Sequence, residues 1–110
     1  MSISTLSPIY SLDLIKKYAV VFYDNSLRER TNILKENKDK SGIYLWFNKK
    51  THKYYIGQSK NLGDPVSGRL NRYYRPSYLG QLSRGDSIIR AALIKYGHEH
   101  FSLAILEYCS

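Results

Sequence analysis

Two tyrosines, a glycine and an arginine carry the chemistry that this sequence suggests. Gly42-Ile43-Tyr44 is followed, with ten residues between, by Tyr55-Ile56-Gly57, and Arg69 stands twelve positions after Gly57. Such a set suits attack on a phosphodiester. That reaction needs a nucleophilic water, a group to take its proton, and positive charge where the phosphorane forms. A phenol takes a proton only when its pKa is drawn well below about 10, and neighbouring cations draw it that way. A guanidinium clamps two phosphate oxygens through its planar fork. A glycine lets a backbone or a phosphate approach closely.

The elements that must position these groups can be read from periodicity. Ser41 to Asn48 alternates as a strand, with Ile43, Leu45 and Phe47 on one face and Tyr44 and Trp46 on the other. Lys53 to Ser59 reads as the return strand. A tight turn at Lys49-Lys50 would set Tyr44 directly opposite Tyr55, two phenols side by side on one face. A one-residue slip would part them. A helix over about 66–74 carries Arg69, and Pro76 ends it. Asp86 or Ser87 caps a second helix with the apolar stripe Ile88, Ile89, Ala92, Leu93 and Tyr96, and Gly97 follows as its C-cap. Phe101 to Tyr108 closes as a strand.

Ahead of these, residues 1–18 read as a weakly structured lead and Ala19 to Tyr23 as a strand or extended arm. Asp24-Asn25-Ser26 offers capping groups for a short helix with Leu27, Thr31 and Leu34 at helical spacing and Ile33 beside them. Together these predict an α+β fold: a small three-stranded antiparallel sheet flanked by helices. Residues 1–39 form an N-terminal extension with one short helix, and 40–110 form the domain that bears the motifs.

Composition agrees with a single globular domain and a polyanionic partner. The chain has 110 residues, 43% hydrophobic and 14% aromatic, with eleven tyrosines and a net charge of +8. Residues 40–110 hold eleven Lys/Arg against four Asp/Glu, so the basic surplus coincides with the motifs. Basic residues among aromatics favour nucleic acid, and Lys60, Arg72 and Arg75 are the candidate contacts. Cys109 is the sole cysteine, so no internal disulfide or thiolate zinc site can form. No apolar run has the length of a membrane span, and no secretory or organelle presequence is evident. His98 and His100, spaced by two, have no matching acidic or thiol partners nearby that would complete a metal-ligand set, and read as surface turn residues.

Residues 41–109 resemble the GIY-YIG nuclease family, most nearly the nuclease domain of group I intron homing endonucleases of fungal mitochondria. The resemblance lies in Ser-Gly-Ile-Tyr-Leu-Trp (41–46), Tyr-Tyr-Ile-Gly-Gln-Ser-Lys-Asn-Leu (54–62), Arg-Leu-Asn-Arg-Tyr-Tyr (69–74), Ser-Ile-Ile-Arg-Ala-Ala-Leu-Ile-Lys-Tyr-Gly (87–97) and Phe-Ser-Leu-Ala-Ile-Leu-Glu-Tyr-Cys (101–109). It implies a homing-type endonuclease that hydrolyses double-stranded DNA with Mg²⁺ or another divalent cation, of mitochondrial origin. Tyr44 and Tyr55 would act as general base or water-orienting group and its partner. Arg69 would stabilise the phosphate, and Tyr73 would stand near the reacting centre. Gly42 and Gly57 would be structural at the site.

Two departures accompany the resemblance. The family places its arginine closer to the motif glycine, so 63–68 reads as a short insertion and Arg72 competes with Arg69 for the role. The family's metal-binding glutamate lies on a helix after the third strand, which here would fall beyond Ser110. The expectation is therefore a C-terminally truncated domain without its metal ligand, cutting weakly or not at all. Plainer readings stand beside these: Tyr44 and Tyr55 as sheet-packing residues, Arg69 as a solvated helix arginine, Tyr73 as core, and the chain as a non-catalytic nucleic-acid-binding module.

Overall fold

A computed structural model describes residues 4–6, 12–64, 68–75 and 87–109. The expected second-helix cap at Asp86 and the stop at Pro76 lie outside them. At the centre are the alternating stretches read from the sequence, β3 (Ser41–Asn48), β4 (Tyr54–Ser59) and β5 (Phe101–Cys109). Two short strands join them, β1 (Ser4–Leu6) and β2 (Val21–Tyr23). Among the described residues the sheet therefore has five antiparallel strands in the order β1-β4-β3-β5-β2, not three. Three-residue strands carry no period of their own. They form here because β4 and β5 offer unpaired edges that a neighbouring segment can cover.

Among the described residues before residue 40 there are two helices rather than one. Helix α1 (Leu12–Tyr18) follows β1, and α2 (Arg30–Glu36) follows β2. Asp13 in the first turn of α1 and Lys16 and Lys17 in its last complement the helix dipole. Before α2, Asn25 Oδ1 accepts the Leu27 and Arg28 amides at 3.1 and 3.0 Å, so Asn25 makes the chain-turning bond. Ile33 is the buried anchor of α2, whereas Leu27 and Thr31 are exposed. Helix α3 (Arg69–Arg72) and helix α4 (Ser87–Tyr96) follow among the described residues. Gly97, at φ 84°, ends α4 in a backbone region that side chains disfavour.

Period-two alternation gives the sheet two apolar faces. Tyr44, Trp46, Tyr55, Leu103 and Ile105 form one core with Ile33 of α2, Leu70 of α3 and Ile89 and Leu93 of α4. Leu45, Phe47, Tyr54 and Ala104 form the other with Ile15 of α1. Ile88, expected in the α4 stripe, is exposed.

The β3–β4 hairpin departs from the expected tight turn. Asn48 pairs with Lys53 through the Asn48 N–H and the Lys53 carbonyl at 2.8 Å, leaving the four residues 49–52 as the loop. Asn48 dictates this. Its buried Oδ1 accepts the Lys50 and Thr51 amides at 2.9 and 3.3 Å, and His52 turns the chain back at φ 64°. Tyr44 consequently faces Gly57, and Tyr55 faces Trp46. The shift is two residues, so both tyrosines keep their common face. Replacing Asn48 with Ala should lower the unfolding free energy by about 1–2 kcal/mol in denaturant titrations, since two loop amides lose their acceptor. An unchanged midpoint would refute the role given to Asn48.

Candidate active site

The site forms where β3, β4 and α3 meet. Tyr44 and Tyr73, both fully buried, bring their hydroxyls to 2.8 Å, with ring centroids 5.9 Å apart at 67°. Gly57 makes the room. A Cβ there would lie 2.5 Å from Tyr44 Oη and 2.6 Å from its Cζ, so the phenol crosses the space a side chain would fill. Gly42 serves the backbone instead. A Cβ on it would strike the Glu107 carbonyl of β5. Beside it, Ile43 faces Glu107 while Tyr44 faces Ile105, so Leu106 is an extra residue, a β-bulge that bends β5 beside the motif.

Trp46 shelves the pair, standing edge-on to Tyr73 at 5.5 Å and to Phe101 at 6.2 Å. Tyr55 lies on the same sheet face, opposite Trp46 rather than Tyr44. Burial, and then the neighbouring Tyr96 phenol, push its pKa above the ordinary tyrosine value. Tyr55 is thus held as a neutral phenol, a form that donates a hydrogen bond.

Helix α3 is a single turn, too short to stand alone. The loop after β4 holds its start: the Arg69 N–H donates to the Asn61 carbonyl at 2.8 Å and the Leu70 N–H to the Leu62 carbonyl at 2.9 Å. Leu70 is fully buried. Arg69 is half-buried at the first position of the helix. The four-residue spacing makes Arg69 and Tyr73 neighbours on the helical surface, and Arg72, three positions on, neighbours Arg69 as well. Arg72 and Arg75 are half-buried and Lys60 is exposed.

His98 is not the free surface residue that the sequence suggested. It is half-buried, its Nε2 donates to the Tyr73 carbonyl at 2.6 Å, and its ring stacks on Tyr74 at 4.9 Å and 19°. Burial above all holds its pKa below the usual histidine value. No local pattern announces this, because its partner lies 25 residues away. His100 fits the surface reading, 3.8 Å from the Glu99 carboxylate.

Among the described residues, no group of three or more His, Cys, Asp or Glu gathers as a metal cage. The described side chains do not by themselves fit a divalent cation. No helix among the described residues is long and apolar enough to cross a membrane, and Cys109 is an exposed free thiol.

Comparison with known proteins adds one relation. The chain is 32% identical over 77 residues, 68% of its length, to the Neurospora crassa protein named "Probable intron-encoded endonuclease bI1". It spans about 15% of the length of that protein. No family model and no solved structure matches the chain. Over that stretch the chain is related to part of an intron-encoded endonuclease.

Proposed function

We propose that this chain is a nuclease domain of the GIY-YIG type, an endonuclease of the homing kind that hydrolyses phosphodiester bonds of double-stranded DNA. The observation that carries the reading is the 2.8 Å contact between Tyr44 and Tyr73 Oη, set over Gly57 and beside the turn that bears Arg69. The relation to an intron-encoded endonuclease supports it, and so does the net charge of +8.

In this reading Tyr44 is the general base or water-orienting group for the attacking water, and Tyr73 is its hydrogen-bond partner at 2.8 Å. The water oxygen forms a bond to phosphorus as the bond to the leaving sugar oxygen breaks, and that oxygen takes a proton from solvent water to leave as a hydroxyl. Arg69 binds the non-bridging oxygens, where charge accumulates. The neutral Tyr55 donates to the water or the phosphate. Lys60, Arg72 and Arg75 hold the flanking backbone. A divalent cation, Mg²⁺ or another, belongs to the proposal and would supply positive charge at the phosphate, with none of the described side chains assigned to hold it. Mitochondrial origin belongs to it as well.

Burial of both phenols favours a second reading, a module of the same fold that binds DNA without cutting it. Nicking of supercoiled plasmid by excess full-length chain in Mg²⁺ separates the two. The nuclease reading expects nicks above background that fall about 100-fold, or to background, on Arg69→Ala. Salt-sensitive binding with no nicking beyond that of the Arg69→Ala chain would favour the module and contradict the nuclease.

A further inference from the structure

We infer that His98 is the positioning residue of the phenol pair: by donating from Nε2 to the Tyr73 carbonyl, it fixes where Tyr73 Oη meets Tyr44 Oη. The catalytic consequence rests on the nuclease reading; the contact itself does not.

Tyr73 is the C-cap of a four-residue helix. A helix end leaves carbonyls without intrahelical partners, and a single turn does not hold its own geometry. The start of α3 is tied down by the Asn61 and Leu62 carbonyls, and its end by His98. A carbonyl can only accept, so the ring nitrogen facing it carries the proton, and the Nε2–H form is selected.

His98 is itself held from three sides. Its carbonyl accepts the Ser26 hydroxyl at 2.7 Å and the Phe101 amide at the start of β5. Its ring stacks on Tyr74, whose hydroxyl donates to the Ser26 carbonyl at 2.7 Å. Trp46, the shelf beneath the phenols, meets the His98 ring edge-on at 6.4 Å. The imidazole therefore joins the segment before α2, the start of β5 and the end of α3 into one frame, with the Tyr73 hydroxyl at its tip. Arg30, over the Tyr74 ring at 5.0 Å, closes the outer side.

The test uses the full chain and two substitutions. His98→Phe keeps a flat ring on Tyr74 and removes the donor, whereas His98→Gln restores an N–H near Nε2. His98→Phe should slow single-turnover nicking roughly five- to tenfold, and His98→Gln should recover it to within about twofold, as loss and return of one hydrogen bond would do. DNA affinity should stay the same in both. In parallel, the ¹³Cζ resonance of Tyr73, assigned by its loss in Tyr73→Phe, should move in His98→Phe and return in His98→Gln. A purely structural role would give equal effects in both variants with no return, and that result overturns the inference. So does a Tyr73 resonance unmoved by His98→Phe. If the native chain does not nick, the nuclease reading fails and the resonance alone decides the part played by His98.

Discussion

Gly57→Ala should stop cleavage and lower stability together, and both losses should trace to one ring. A methyl at position 57 would fall 2.5 Å from Tyr44 Oη, far inside van der Waals contact. The ring is fully buried, with β4 beneath it and Tyr73 at its tip, so it has little freedom to yield. Overpacking of this kind costs about 1–3 kcal/mol. The displaced phenol would also leave Tyr73, and nicking should fall by about 100-fold or to background, the effect of losing a placed general base. A double-mutant cycle isolates the cause. Beside Tyr44→Ala, the same Gly57→Ala change should destabilise by less than about 1 kcal/mol, because the clash is gone. Equal destabilisation in both backgrounds would place the requirement for glycine in the β4 backbone instead.

Tyr44→Phe is the gentler excision and the more informative one for chemistry. It removes one oxygen and leaves the ring that fills the space above Gly57. A general base is worth about 10²–10⁴-fold in rate, so nicking should drop by that factor while the salt-dependent affinity for DNA stays within about twofold, since phosphate contacts set it. Tyr55→Phe should cost less. Burial and Tyr96 keep that phenol neutral, so only a hydrogen-bond donor is lost, a change of about tenfold or less. Reversal of this order would transfer the proton-handling role from Tyr44 to Tyr55.

The sequence makes the motif strands legible because period two is a strong signal over six to nine residues. The faces of Tyr44 and Tyr55 were readable even though their pairing was not. Loop length at Asn48 moved the register by two, which exchanges partners and preserves sides. The moved partner is informative, since it explains Gly57 through the phenol opposite it. The edge strands Ser4–Leu6 and Val21–Tyr23 were illegible because three residues hold no period. Helix α1 was hidden too, with Ile15 as its one fully enclosed apolar residue and Leu14 and Tyr18 exposed.

At the candidate site, Arg69 and Tyr73 were legible as a pair through helical spacing. The meeting of Tyr73 with Tyr44, 29 residues apart, needed the fold. His98 shows the limit most clearly. Its neighbours in sequence are a glycine cap and a short turn, and its role comes from a backbone carbonyl that no pattern of side chains can mark.

If the two phenols form one proton-handling unit, their hydroxyls cannot contribute independently to the rate. Single-turnover nicking by Tyr44→Phe, Tyr73→Phe and the double variant, at saturating protein in Mg²⁺, measures this. The double variant should be no slower than the slower single variant, within about threefold, as for residues that act as a unit. Multiplied losses, or native rates in both single variants, would contradict it.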